Sequence, residues 1–306
     1  MMPGDLGNEV GGSNLETSIL RTLAYSDLFD YPLTAREIHR YLVGYAASFE
    51  SVEEALFRPG LLRERTDGAT PLWFLSGRGQ IVEVRREREA HSQALWPWAW
   101  RYGHQIATRP FIRLVAVTGS LAMNNVSHAR DDIDLLLVAR TGRVWLARAL
   151  TLLSVHLAYR LGITLCPNYV LAEDHLRLAE ANFFTAHELA QVVPLYGLRV
   201  YRSLFDHNSW VRHYLPNAAP RNVVEDDAWP KTRVGQRVLE TALGGPLGEA
   251  LERWERERKI DRLRREAAQR GGLESQFNAD LCKGHIDSHS AVISQRYAER
   301  LKAYGI

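Results

Sequence analysis

Apolar residues recur at helical spacing near the start of the chain, and capping residues mark where further helices begin. Ile19, Leu20 and Leu23 share one face and predict a first short helix. Two Ser/Thr-x-x-Glu spacings are capping boxes and predict a second and a third helix. The residues concerned are Thr34 with Glu37, and Ser51 with Glu54. The Pro59-Gly60 pair would end the third helix.

The next segment alternates apolar and polar residues on both sides of a turn. The sequence LLRER, the turn TDGATP and the sequence LWFL together predict a β-hairpin. Three helices and a hairpin are typical of a winged helix-turn-helix, so residues 15–78 are predicted to form this module behind a disordered tail at residues 1–14. The module would contact DNA or a protein. Its third helix is acidic where a groove-reading helix should be basic, which counts against DNA.

Residues 79–108 form a charged stretch that is predicted to be a connecting helix, with a break or kink at Pro97. It carries Trp96, Trp98 and Trp100. These side chains could stack on nucleic-acid bases or pack the N-terminal module against its neighbour. Large aromatic residues at near-helical spacing usually belong to a core, which favours packing.

Two β-rich apolar runs in the middle of the chain are joined by a polar segment. The first, FIRLVAV, ends shortly before Gly119-Ser120, and the second, IDLLLVA, begins at Ile133, which Asp132 and Asp134 flank. Because side chains alternate along a strand, both carboxylates lie on one face and Ile133 on the other. Two neighbouring carboxylates repel each other and require a compensating cation. The pair predicts a site for Mg²⁺ or Mn²⁺, which bridges carboxylates to phosphates.

Gly119 and Ser120 offer groups of a different kind. Gly119 has no Cβ, so its backbone can approach a phosphate closely. The neighbouring amides and the Ser120 hydroxyl can donate hydrogen bonds to phosphate oxygens. A Gly-Ser turn or an Asp-x-Asp alone is weak support for a site, but their order and spacing together are specific. These residues are therefore predicted to hold phosphates beside the cation.

The ordered pattern of strand, Gly-Ser, short helical segment, Asp-x-Asp and strand resembles the nucleotidyltransferases of the DNA polymerase beta superfamily. The motif covers residues Val115 to Val138. A weaker likeness extends further, because LAYSDLFDYPLTAREIHRYL, CPNYVL and VVPLYG look like segments of bacterial proteins that carry this domain behind a winged helix. The resemblance implies an α/β (α+β) fold at residues 109–178, in which helices pack on a mixed sheet.

The resemblance also implies an activity and a set of roles. The reaction would transfer a nucleoside monophosphate from a nucleoside triphosphate to an acceptor and release pyrophosphate. Asp132 and Asp134 would bind Mg²⁺ or Mn²⁺, and Gly119 and Ser120 would hold the triphosphate. The acceptor would be a protein, a nucleic acid or a small molecule, and the motif does not choose among them.

One position departs from the family pattern, which usually has a third carboxylate on a later strand. The matching strand is ITLCPNYVLA, and Asn168 stands where the acid is expected. An amide has no charge and is no general base near neutral pH. Three explanations stay open: another group is the base, no strong base is needed, or the protein is a nucleotide-binding regulator or adaptor with weak or no turnover. The candidate bases are Asp131, His128 and Asp174, with Glu173 as a further candidate for the third acid.

Residues 179–306 are predicted to form a helical C-terminal region. Tyr196 and Trp210 could stack on a base, but packing in the core is favoured. The segment Glu249 to Arg270 predicts a solvated helix with paired Arg and Glu side chains. Its imperfect apolar stripe consists of Leu247, Leu251, Trp254 and Leu263. A zinc site at Cys282, His285, Asp287 and His289 is disfavoured, because the spacing matches no common structural site.

Composition narrows the function classes. The 306 residues are 46% hydrophobic with a net charge of +2, so any nucleic-acid partner must meet a local basic patch. The apolar runs are too short to span a bilayer, and the first residues do not resemble a signal peptide. Two cysteines agree with a reducing compartment, so a cytoplasmic location is expected. A dinucleotide fold is excluded because VAVTGS lacks the G-x-G-x-x-G spacing.

Overall fold

The computed structural model describes residues 14–58, 72–223, 234–269, 275–284 and 289–306. Helices cover both faces of a mixed sheet of six strands. The α/β class with a mixed sheet is thereby confirmed.

The N-terminal part contains three helices, as predicted. They are α1 (Leu15–Asp27), α2 (Ala35–Arg40) and α3 (Phe49–Phe57). The capping box at the start of α2 is confirmed: the Glu37 amide donates to Thr34 Oγ1 at 3.2 Å, and the Glu37 carboxylate accepts from the Thr34 amide at 2.8 Å.

The start of α3 was predicted wrongly. Ser51 is not its capping residue, because the Ser51 amide donates to Ser48 Oγ at 3.1 Å and the helix begins at Phe49. The capping pattern missed Ser48 because its third following residue is a serine and not Glu or Gln. Arg58 is extended, with a ψ of 142°, as a residue before proline prefers to be.

The predicted wing lies mostly outside the described residues, which omit residues 59–71. Within the described part of LWFL, Trp73 pairs with Leu33 through both backbone groups, at 2.7 and 2.9 Å. The second half of the proposed hairpin thus contacts the segment before α2. A winged helix-turn-helix stays a prediction.

The sheet is built from six strands that do not follow chain order. They are β1 (Ile112–Val117), β2 (Ile133–Ala139), β3 (Leu165–Ala172), β4 (Val193–Tyr196), β5 (Gln276–Phe277) and β6 (Leu281–Lys283). Their spatial order is β4-β1-β2-β3-β6-β5, with β2 and β3 parallel and the other neighbours antiparallel. The short helix α5 (Gly119–Ala122) connects β1 towards β2. Central strands are apolar on both faces because helices cover both.

One face of the sheet packs against α4 (Ile81–Ala107) and α6 (Val144–Arg160). The α4 helix continues through Pro97, so this proline does not break it. The three tryptophans of α4 are half-buried against this core. Trp96 also donates its ring N–H to Asn124 Oδ1 at 2.6 Å. This arrangement agrees with packing as the use of the tryptophans.

The opposite face packs against α1, α2 and α3 together with α7 (Phe183–Gln191), α8 (Leu198–His207) and α9 (Val211–Tyr214). Leu136 and Val138 of β2 lie in the same buried cluster as the apolar residues of α1. Arg85 of α4 adds a polar link, because it is buried and pairs with Glu37 at 2.8 Å. The N-terminal helices therefore share one core with the sheet.

The C-terminal region corrects the expectation that residues 179–306 are helical, because it also supplies β4, β5 and β6. The sequence VPLY of β4 contains Pro194. Proline is accepted at the edge of a sheet, and β4 is the edge strand beside β1. Tyr196 and Trp210 are both half-buried against the core, as favoured.

The remaining helices are α10 (Val234–Ala242), α11 (Pro246–Gln269) and α12 (His289–Tyr304). In α11, Leu247 and Trp254 of the apolar stripe are exposed and Leu263 packs on the core, whereas Glu252 and Glu255 are buried. Glu252 is drawn inward by backbone N–H groups at the start of α6. Of the described helices, none has the length and apolar character needed to cross a bilayer.

Candidate functional site

The predicted site residues line one cavity with a volume of about 610 Å³. Its floor is the end of the sheet where β2 and β3 begin, and its walls come from α1, α5 and α7. Five predicted residues line it together, namely Gly119, Ser120, Asp132, Asp134 and Asn168. Residues separated by up to 49 positions are thus brought to one place by the pairing of three strands.

Asp132 and Asp134 lie on the same face of the sheet, as alternation predicted. Ile133 between them is fully buried on the other face. One ligand atom from each carboxylate and the Cys166 sulfur all lie within 4.8 Å of one another. A single cation could therefore contact both carboxylates.

Gly119 makes room for this arrangement. A Cβ on Gly119 would lie 2.5 Å from Asp134 Oδ2, and its φ of 66° is in the left-handed region. Both facts favour glycine at this position. The Thr118 amide donates to the Asp134 carbonyl at 3.0 Å, which fixes the end of β1 against β2. Gly119 thus lies directly beside the Asp134 carboxylate, and it also lines the cavity.

Asn168 lies where the sequence predicted, because its Nδ2 donates to Asp134 Oδ1 at 2.5 Å. Cys166, which the sequence analysis did not select, donates its thiol to Asp132 Oδ2 at 3.0 Å. The pairing of β2 with β3 shifts by one residue between Cys166 and Tyr169. Pro167 lies within this irregularity, as prolines in sheets often do. The only signal in the sequence was the spacing of Cys166 and Asn168.

The site disfavours negative charge in the absence of a cation. The pKa of Asp134 is raised to about 7, first by burial and then by the charges of Asp132 and Glu188, against the lowering effect of the Asn168 hydrogen bond. Burial raises the pKa of the Cys166 thiol above its usual range, and the Asp132 carboxylate adds to the effect. A cation would offset the repulsion that raises the Asp134 pKa.

The donor set fits a divalent cation. Two carboxylates supply the oxygen ligands that Mg²⁺ and Mn²⁺ prefer, and the side chain of Asn168 carries one more oxygen. The thiol of Cys166 is a softer ligand, which would favour Mn²⁺ or Zn²⁺ over Mg²⁺ if it took part. The residues therefore fit the expected metal, with Asp132 and Asp134 as the groups that would hold it.

The other candidates for the third acid or the general base lie at different places relative to the cavity. Glu173 and Asp174 follow β3 at the far end of the sheet, where the Glu173 amide donates to the Ala139 carbonyl. They are therefore excluded as third acid and as base of this cavity. Asp131 is nearer, but its carboxylate accepts from the amides of Ser127 and Asp132. His128 is exposed.

The sequence analysis did not select Glu188 and Lys283, which also line the cavity. Glu188 of α7 lines the cavity, and burial raises its pKa to about 7. Lys283 of β6 also lines it and pairs with Glu180 at 2.7 Å. Among the described lining residues, Lys283 is the one lysine or arginine. Neither residue belongs to a motif, so only the fold reveals them.

The disfavoured zinc cluster is only partly described. Cys282 is buried in β6, opposite Val170 of β3. His285 and Asp287 lie outside the described ranges, and so does the side chain of His289.

Comparison with known proteins found no matching family model, no matching curated protein and no matching solved structure.

Proposed function

We propose that the protein is a metal-dependent nucleotidyltransferase that moves a nucleoside monophosphate from a nucleoside triphosphate to an acceptor. The observation that carries this proposal is the meeting of Gly119-Ser120 and the Asp132–Asp134 pair in one cavity. The mixed sheet with helices packed on it is the kind of fold that the sequence resemblance implies.

Each group has a distinct task in this reaction. Asp132 and Asp134 would hold a divalent cation, which would supply positive charge to neutralise the phosphates. The amides near Gly119 and the hydroxyl of Ser120 donate to the phosphate oxygens. Lys283 brings a positive charge to the same cavity, where it pairs with Glu180. Positioning and charge neutralisation account for most of the catalysis of such transfers.

We assign Glu188 as the residue that accepts the proton of the attacking group. It lines the cavity, and its charge contributes to the raised pKa of Asp134. With its own pKa raised to about 7, it is partly ionised near neutral pH and can act as a base. Glu188 thus offers an acid in the site although Asn168 occupies the expected third position.

The test is direct. The protein is incubated with each of the four α-labelled ribonucleoside triphosphates and MgCl₂ or MnCl₂, with a bacterial lysate as the source of acceptors. Labelled protein, nucleic acid or small molecules, together with released pyrophosphate, are the expected result. The Asp132→Asn/Asp134→Asn variant should give none, whereas Glu257→Gln on the exposed side of α11 should match the wild type. Equal labelling by the Asp132→Asn/Asp134→Asn variant would refute the proposal.

A second function is favoured by one observation, the amide of Asn168 in contact with Asp134. In this alternative the cavity binds a nucleotide without turning it over, and the protein acts as a regulator or adaptor. The N-terminal module would then contact a protein or DNA. Metal-dependent triphosphate binding without any labelled product or pyrophosphate would favour this alternative.

A further inference from the structure

The cavity has two ends of different chemistry. The carboxylates, Gly119 and Ser120 form the polar end. The other end is apolar and largely aromatic, and it is walled by the N-terminal helices and α7. The residues that form it are Tyr25, Phe29, Tyr31, Leu33, Tyr41, Met123, His187 and Leu189. Triphosphate groups would lose their hydration at this aromatic end, so it suits an uncharged part of a ligand.

His187 is the polar group of the aromatic end. It is 2% exposed, and within the described chain its Nε2 is buried with no hydrogen-bond partner. Its ring stacks on Tyr25, with 3.7 Å between the ring centres. Burial lowers its pKa to about 3, so the imidazole is neutral. A buried polar atom without a partner is costly, and a ligand that pairs with it recovers that cost.

The two ends are close enough for one small molecule. The Tyr41 hydroxyl donates to the sulfur of Met123, which directly follows α5 with Gly119 and Ser120. Glu188, the neighbour of His187 on α7, lines the same cavity as Asp134. The volume of about 610 Å³ is within the range of small-molecule sites.

We propose that the aromatic end binds the nucleobase of the triphosphate, with His187 Nε2 as the hydrogen-bond partner of the base edge. This inference rests on the proposed function, since it assigns the base of the same nucleotide. A nucleobase is planar and uncharged, and its edge carries the donors and acceptors that a neutral imidazole can pair. Its face would contact aromatic side chains such as Phe29, which is half-buried at the wall. The N-terminal module is then part of the substrate site.

The polar groups of α2 support this role for the module. Arg40 donates to the carbonyl oxygens of Ala190 and Ala219, both at 2.8 Å, and Glu37 pairs with Arg85. These side chains hold α2 against the rest of the molecule. They are committed to contacts within the chain, so they keep the aromatic end in place.

The experiment compares ligands with and without a base by calorimetry in the presence of MgCl₂. Ribose 5-triphosphate is the probe without a base, and ATP, GTP, CTP and UTP are the probes with one. We expect the wild type to bind at least one nucleotide more than tenfold more tightly than ribose 5-triphosphate. His187→Phe keeps the ring beside Tyr25 but removes the nitrogen. The substitution should weaken the binding of that nucleotide by about threefold to tenfold and leave the affinity for ribose 5-triphosphate unchanged.

Two further variants keep the test decisive. His91→Phe on α4 replaces a histidine that does not line the cavity and should bind every probe as the wild type does. If His187→Phe fails to fold, Phe29→Leu is used in its place. It should weaken the binding of the nucleotide to the same extent and leave the binding of ribose 5-triphosphate unchanged. Thermal unfolding of each variant establishes that it is folded.

Each contrary result has a separate meaning. Equal affinity for ribose 5-triphosphate and all four nucleotides overturns the base site and leaves the proposed function standing. No binding of any triphosphate overturns the proposed function as well. If nucleotides still bind more tightly than ribose 5-triphosphate in both His187→Phe and Phe29→Leu, the base lies elsewhere and the inference is overturned. If His187→Phe weakens the binding of ribose 5-triphosphate as much as that of the nucleotide, the inference is also overturned.

Discussion

Asp134 accepts a hydrogen bond from Asn168 and lies beside Asp132, so two opposing influences act on its charge. Burial and the neighbouring carboxylates prevail, and the pKa is raised to about 7. The metal-free protein therefore holds a proton on Asp134 over much of the acidic range. A cation binding there must displace that proton, which couples metal binding to pH.

The stability of the metal-free protein should depend on pH because Asp134 binds this proton. The pKa of Asp134 in the folded protein exceeds its value of 3.8 in the unfolded chain. The contribution of Asp134 to the free energy of unfolding is therefore largest at low pH and is lost as pH rises towards 7. Asp134→Asn should be more stable than the wild type above pH 7, by a few kcal/mol at most, since one pKa unit is about 1.4 kcal/mol.

Urea unfolding from pH 4 to pH 8 with chelator present measures the difference. His187 has the opposite influence, because its pKa is lowered to about 3 and its contribution is gained as pH rises. The comparison of the two proteins cancels that effect. A stability difference between variant and wild type that does not change with pH would show that Asp134 is not the group concerned.

Asn168→Asp gives a second prediction at this scale. The substitution removes the Nδ2 donor and places a third carboxylate at the contact now measured at 2.5 Å. The variant should unfold at a lower temperature than the wild type in chelator and should gain more stability from MnCl₂, because the added charge repels without metal and binds it when present. Thermal unfolding with and without MnCl₂ is the measurement. Asn168→Ser is the control, and an equal gain in both variants would place residue 168 outside the metal site.

At the scale of elements, α11 supplies a carboxylate to the start of α6. Glu252 accepts from the amides of Trp145 and Leu146 at 3.0 and 2.7 Å, where free N–H groups and the helix dipole attract negative charge. The solvated helix was correctly predicted to pair Arg with Glu, as in the 2.7 Å pair of Arg262 with Glu266. The cap was not foreseen, because no pattern in the sequence connects α11 with α6.

Glu252→Ala should lower the free energy of unfolding by about 1–3 kcal/mol, since it leaves two buried amides without partners. The exposed Glu257 of the same helix provides the control, as Glu257→Ala loses a similar side chain without a cap. Chemical denaturation of both variants is the measurement. Equal stability of the two variants would contradict the capping role.

At the scale of the whole molecule, the first and last described helices contact each other. The Tyr297 hydroxyl of α12 donates to the Arg21 carbonyl of α1 at 3.2 Å, and Arg300 pairs with Asp27 at 2.5 Å. Together with the shared core of α1 and the sheet, this makes the N-terminal helices part of one folding unit.

A single cooperative unfolding transition is therefore expected. Near-ultraviolet and far-ultraviolet circular dichroism should give the same midpoint, because tertiary packing and helix content are lost together. Removing residues 289–306 should lower both midpoints, since α1 loses the contacts of Tyr297 and Arg300. Two separate transitions in the full chain would show that the N-terminal helices unfold on their own.

The sequence by itself determined the local features of this protein. Alternation placed Asp132 and Asp134 on one face, the Thr34 capping box started α2, and two apolar runs became neighbouring strands. These features depend on residues a few positions apart, whose geometry is set by the period of a helix or strand. The position of Asn168 near the two carboxylates was expected from the family resemblance, and Asn168 contacts Asp134.

Only the tertiary structure decided the rest. Cys166 contacts Asp132 because β3 pairs with β2, and Glu188, Lys283 and His187 line the cavity from elements that no motif marks. The burial of Glu252 on α11 also depends on tertiary contacts, because its carboxylate accepts from backbone amides at the start of the distant α6. Contacts between residues far apart in the chain depend on how whole elements pack, and periodicity carries no information about that packing.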